Sequence, residues 1–129
     1  MFRKRRASGK GCVGRRKSYR GTMHDDRDGL IAVIFTSART AHDAEGYAAA
    51  AEAMDALAAA QPGYRGVRSA RGEDGVGITV SYWADHAAAL AWRDHPEHAA
   101  IRERGRALWY SEYRVDVTRV ERSYAWARE

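Results

Sequence analysis

The sequence predicts an α+β domain in which four antiparallel strands form one sheet with helices on one face. Three observations predict it. Residues 30–36 (LIAVIFT) are a continuous apolar run rich in β-branched side chains, too short for a helix and without polar alternation, as in a strand buried on both faces. Residues 44–61 are alanine-rich and stop at Gln61-Pro62-Gly63, which marks a helix and its end. Residues 64–71 and 77–83 flank Gly72-Glu73-Asp74-Gly75, which reads as a hairpin.

Each element follows from its residues. Ahead of the first helix, Thr40 and Asp43 both offer N-cap oxygens. Tyr47, Met54 and Leu57 fall on one stripe of that helix with Ala50 and Ala51 between them, so this stripe should face the sheet. In the 77–83 strand Ile78, Val80 and Tyr82 share one face and Thr79, Ser81 and Trp83 the other. Asp85 should cap a short helix over 86–95, and Pro96 suits the first turn of a further helix reaching Trp109. Ile101, Gly105 and Leu108 would be its buried edge. Residues 110–122 read as a long last strand, with Tyr113, Val115 and Val117 alternating against Arg114, Asp116 and Thr118.

The order β-α-β-β-α(α)-β is the ferredoxin-like arrangement. Helices cover one sheet face only, yet the first strand is apolar on both. A second copy of the chain is the simplest cover for the other face, and two-fold dimers are the commonest oligomers. The last strand runs on through Tyr124 and Trp126, further than four strands require. It is expected to reach onto the partner, or else to pack on its own subunit.

Charge divides the chain. Of 22 Lys and Arg residues nine lie in residues 1–21, where there is no acid; the remainder holds 13 bases against 17 acids, a net of −4. Residues 1–28 are expected to be a disordered basic segment outside the fold, and 29–129 the domain. The basic stretch has three readings: a nucleic-acid-binding or targeting arm, a plain solvated tail, or translated upstream sequence ahead of a natural start near Met23. Because the domain itself is mildly acidic, nucleic acid is not the expected partner. The single cysteine, Cys12, excludes a disulfide framework within the chain. With no apolar run of membrane-spanning length and no secretory signal pattern, a cytoplasmic location is expected.

Four segments resemble the antibiotic biosynthesis monooxygenase (ABM) family of the dimeric α/β barrel superfamily: IAVIFTSART from Ile31, QPGYRGVRSAR from Gln61, GITVSYWADHAAALAWRDHPEH from Gly77 and YRVDVTRVERSY from Tyr113. The resemblance covers about residues 30–124 and not the basic segment. It implies a homodimer in which two such sheets form one barrel. It further implies a monooxygenase-like protein, with cofactor-independent, O₂-dependent oxidation of a planar aromatic or quinone-like small molecule as the leading expectation. Haem binding with degradation is the alternative, and a non-catalytic dimeric small-molecule-binding protein is a third. Arg102 stands where haem-degrading members carry the axial histidine. Thr36 and Ser37 occupy the region where they carry an asparagine, so the sequence departs from the haem pattern at two positions.

The candidate site residues are Trp83, His98, Arg102 and Tyr110 for catalysis, and Thr36, Trp83 and Trp92 for substrate binding. Within the family a tryptophan at the place of Trp83 lines the pocket, where it would stack on a flat ligand; otherwise it is a core aromatic. Trp92, on a stripe with Ala88 and His95, reads first as core. A single histidine such as His98 suits general acid/base work or iron ligation. His95 and His98 lack a third ligand, so no metal is expected. Arg102 would stabilise anionic charge in a substrate or in an enolate or superoxide, and Tyr110 would donate to a substrate carbonyl. Trp109 and Tyr113 are expected to cover the open sheet face at the dimer interface. Gly75-Val76-Gly77 is a turn and not a phosphate loop, because no helix follows it.

Overall fold

The computed structural model describes residues 26–129. The expectations attached to the basic stretch up to residue 25 lie outside the described residues. Strand β1 (Ile31–Arg39) leads to helix α1 (Ala44–Ala59), then the hairpin β2 (Tyr64–Arg71) and β3 (Val76–Trp83). Helices α2 (His86–Arg93) and α3 (Pro96–Arg104) follow, then a single π-turn over Gly105–Trp109 and strand β4 (Tyr110–Arg119). The strands form one antiparallel sheet in the order β2-β3-β1-β4, the ferredoxin-like topology. No helix among the described residues is long and apolar enough to cross a membrane.

The register assigns the faces. Ile31 pairs with Trp83, and both belong to the buried cluster with Ala58 of α1 and Ala89 of α2, so this parity faces the helices. Val33, Phe35 and Ser37 share that face with Ser81, Val67, Arg71, Tyr113, Val115 and Val117. Ala32, Ile34, Thr36, Ile78, Val80 and Tyr82 have the opposite parity and form the outer face. The apolar character of β1 on both sides is real: Ile31 is fully buried and Ala32 nearly so. On the outer face Ile78 is half exposed.

Several boundaries differ from the sequence expectation. β1 runs on to Arg39, because Ser37 and Ala38 still find partners in β3 and β4 before a register shift at Ala38/Arg39. Helix α1 ends at Ala59, and Gln61 folds back so that its Nε2 donates to the Leu57 carbonyl at 3.0 Å. Asp43 is the cap of α1, its carboxylate accepting from the Gly46 amide at 3.1 Å, whereas the Thr40 hydroxyl donates to the Leu108 carbonyl at 2.6 Å. Helix α2 stops at Arg93 because His95 caps α3 through Nδ1, which accepts from the Glu97 amide at 3.2 Å.

The expected single helix from Pro96 to Trp109 is instead an α-helix that widens into a π-turn at Gly105. A Cβ there would lie 2.8 Å from the Tyr110 ring, so glycine lets the turn close against that tyrosine. The wider turn drives Trp109 inward, where it is buried and its Nε1 donates to Asp43 Oδ2 at 3.2 Å. Trp109 and Tyr113 therefore face the helices of their own chain and not the outer sheet face, a correction to the expectation that they cover it. The last strand ends at Arg119 and not near Arg122. Val120 makes the final pair of bonds with Gly29 and Leu30, beyond which β1 offers nothing to pair with. Tyr124 and Trp126 follow, strongly exposed.

Candidate functional site

The space between sheet and helices holds two aromatic groups at opposite ends of β1. The first is built at the start of β1. Trp83 has no exposed surface, its Nε1 donates to Ser81 Oγ at 3.0 Å, and Tyr64 meets it edge-on with centroids 5.7 Å apart. Trp92 of α2 stacks on Trp83 at 6.1 Å, and His98 of α3 stacks nearly parallel on Trp92 at 4.4 Å. The result is a column, Trp83–Trp92–His98, rising from the sheet through two helices.

His98 is fixed by more than stacking. Its Nδ1 lies 3.0 Å from the Trp92 carbonyl. A carbonyl only accepts, so Nδ1 carries the proton and Nε2 keeps its lone pair. Burial pushes the imidazole below its ordinary value; the Trp92 bond opposes this, while Arg102 and His95 reinforce it. His98 is therefore a neutral, half-buried imidazole at neutral pH. Arg102 is close by, with Nη1 donating to the Arg93 carbonyl at 3.0 Å, so it ties the end of α2 to α3.

The second group lies where β1 ends. Phe35 contacts Tyr110 at 5.4 Å and Tyr113 at 5.3 Å, and Tyr47 of α1 meets Trp109 at 5.8 Å and Tyr110 at 6.0 Å. Polar groups sit inside it. Arg71 Nη2 donates to Ser37 Oγ at 2.9 Å and to the Tyr47 hydroxyl at 3.2 Å. Burial raises the Tyr110 phenol well above its ordinary value, and the neighbouring Tyr47 raises it further. Tyr110 is thus a neutral hydrogen-bond donor, the form needed to address a carbonyl.

Between the groups, the helix-facing side of β4 is poorly covered. Val115 and Val117 stay about half exposed although their parity turns them toward the helices. With Val33, Phe35 and Tyr113 they form an apolar ledge. Such a ledge, bounded at one end by the Tyr110 phenol, suits a flat apolar ligand.

The structure brings Trp83, Trp92, His98 and Arg102 together at one end of the fold. Tyr110 stands at the other end on the same side of the sheet. Thr36 is separated from them all: it pairs with Ile78 and Arg114 on the outer face, so the sheet lies between it and the helix-side residues. Trp83 is enclosed within this chain, between Tyr64 and Trp92. Sequence reasoning passed over Phe35, Tyr47 and Arg71. Tyr47 was visible as a helix-stripe aromatic, but its meeting with Arg71 depends on the register of β2 and β3. No group of three His, Cys, Asp or Glu side chains that could hold a metal ion occurs among the described residues.

Comparisons with known proteins agree with this fold. The sequence model of the family described as "Antibiotic biosynthesis monooxygenase" matches residues 29–104. YqjZ of Bacillus subtilis (strain 168), itself uncharacterized, is 52% identical over 91 residues, covering 70% of this chain and 79% of that protein. Among solved structures, SnoaB from Streptomyces nogalater, described as a cofactor-independent oxygenase, superposes with a TM-score of 0.58 at 22% identity, covering 70% of this chain and 94% of SnoaB. Rv0793 from Mycobacterium tuberculosis superposes with a TM-score of 0.62 at 19% identity, covering 69% of this chain and 92% of that one. At these identities the two structures speak for the fold.

Proposed function

The chain belongs to the antibiotic biosynthesis monooxygenase family, and from that premise we propose that it is a monooxygenase-like protein that oxidises a planar aromatic or quinone-like small molecule with O₂ and without a cofactor. The observation that carries the reading is the apolar ledge of Val33, Phe35, Tyr113, Val115 and Val117 on the helix side of the sheet, where Val115 and Val117 stay about half exposed. In such a reaction an activated ring methylene loses both hydrogens. One oxygen atom of O₂ becomes the new carbonyl and the other leaves as water, so the substrate supplies all the electrons. His98, neutral with a free Nε2, is the base that takes the first proton. Arg102 adds positive charge beside His98, where the negative charge develops, and Tyr110 closes the far end of the ledge. Trp92 covers one face of the imidazole and holds it in place; Trp83 supports Trp92 from below.

The working unit is a homodimer located in the cytoplasm. Its two outer sheet faces pack together, with Thr36 in that interface and the exposed Tyr124 and Trp126 reaching the partner. Aerobic incubation with a panel of anthrones and quinols should give O₂ uptake and a quinone product, both absent anaerobically; no O₂ consumption across the panel removes this reading.

One observation favours haem binding as a second reading. A neutral histidine whose Nδ1 is tied to a carbonyl presents Nε2 as an iron ligand. Haemin titration should then give a Soret shift that His98→Ala abolishes, and a spectrum that stays that of free haemin ends the haem reading.

A further inference from the structure

Arg39 and Arg71 approach the ring of Tyr47, their guanidinium carbons 3.9 Å and 5.7 Å from its centroid. Both are half-buried, and among the described residues neither forms an ion pair, whereas Arg93, Arg104, Arg106 and Arg114 each lie beside a carboxylate. Their donors go to neutral acceptors. Arg39 donates to the Trp109 and His42 carbonyls at 3.1 Å and 3.2 Å, and Arg71 to the Gly75 carbonyl, the Ser37 carbonyl and hydroxyl and the Tyr47 hydroxyl. Burial and, after it, the repulsion between the two cations lower the Arg39 value, which Tyr47, Tyr110 and Asp43 offset only in part. An anion between them relieves that repulsion. The Tyr110 phenol stands on the same ring, bonded to Tyr47, and opens onto Phe35 and Tyr113.

We infer that Arg39, Tyr47, Arg71 and Tyr110 form an anion subsite that takes the acidic group of a flat aromatic ligand lying on Phe35 and Tyr113. The inference rests on the reading that the ledge holds an aromatic ligand, and it adds that this ligand is an aromatic acid. It also orients the ligand: the acidic group points to the β1 end at Arg39, and the ring lies toward His98.

Calorimetric titration of the full chain with 2-naphthoate and with its methyl ester tests this. The acid should bind about tenfold tighter than the ester, the margin of charge-assisted over neutral hydrogen bonds. Arg39→Gln and Tyr47→Phe should each bring the two affinities together while leaving that of the ester in place, and Arg39→Lys should keep most of the preference. Arg71→Gln is less informative because Arg71 also ties the β2–β3 turn to β1. Equal affinities for acid and ester in the parent protein, or a preference untouched by Arg39→Gln, overturn the anion subsite and leave the aromatic ledge standing. Failure of both probes to bind removes the ledge reading and the subsite with it.

Discussion

At His98 the surroundings decide the chemistry of a side chain that the sequence presents as one of five histidines. The imidazole is half-buried, and that burial puts its folded-state value below the ordinary 6.5, so the unfolded chain binds the proton more readily. Its contribution to stability is therefore fully present above about 6.5 and is lost as pH falls through the depressed folded value. The urea midpoint should drop between pH 7 and pH 5, and His98→Gln should flatten that drop; an unchanged pH profile in the variant would show that other groups carry it. The type of residue was visible beforehand in His98, Arg102 and Tyr110. Their states were not, because burial, the Trp92 carbonyl and the Tyr47 phenol are all brought to them by the fold.

At the scale of elements, α1 shows a local rule overridden by a distant contact. Asp43 was one of two possible caps, and it prevails because Thr40 is drawn to the Leu108 carbonyl in the π-turn. Asp43 sits at φ 53° and also receives the Trp109 indole. Asp43→Ala should cost about 1–2 kcal/mol, as loss of a cap does, and Asp43→Asn markedly less because asparagine tolerates the left-handed region. Gly46→Ala would by propensity stabilise a helix by up to about 1 kcal/mol. Here a Cβ would collide with the Asp43 carboxylate, so the substitution should instead destabilise the protein by disrupting the cap. Thermal denaturation of the three variants measures both effects.

At the scale of the whole molecule the sheet is finished on one side only. The outer face presents Ile34, Val80 and Tyr82 with Ile78 half exposed, and the chain continues past β4 into a segment carrying exposed Tyr124 and Trp126. If two outer faces pack together, Ile78→Lys should convert a dimer into a folded monomer in sedimentation velocity, since Ile78 contributes little to its own chain's core. A dimer of undiminished affinity would place the interface elsewhere.

The sequence by itself determined the order of elements, the alternation along β3 and β4, the hairpin turn and the two-sided apolarity of β1. These depend on near neighbours and on periodicity, which a linear string carries in full. It also carried the family, through motifs that lie within single segments. Only the tertiary structure decided which face each strand turns to the helices, that Thr36 lies across the sheet from His98, that Gly105 opens a π-turn and buries Trp109, and that Arg39 and Arg71 meet at Tyr47. Those outcomes depend on strand register and on side chains up to seventy residues apart, and no local pattern encodes a distance between segments.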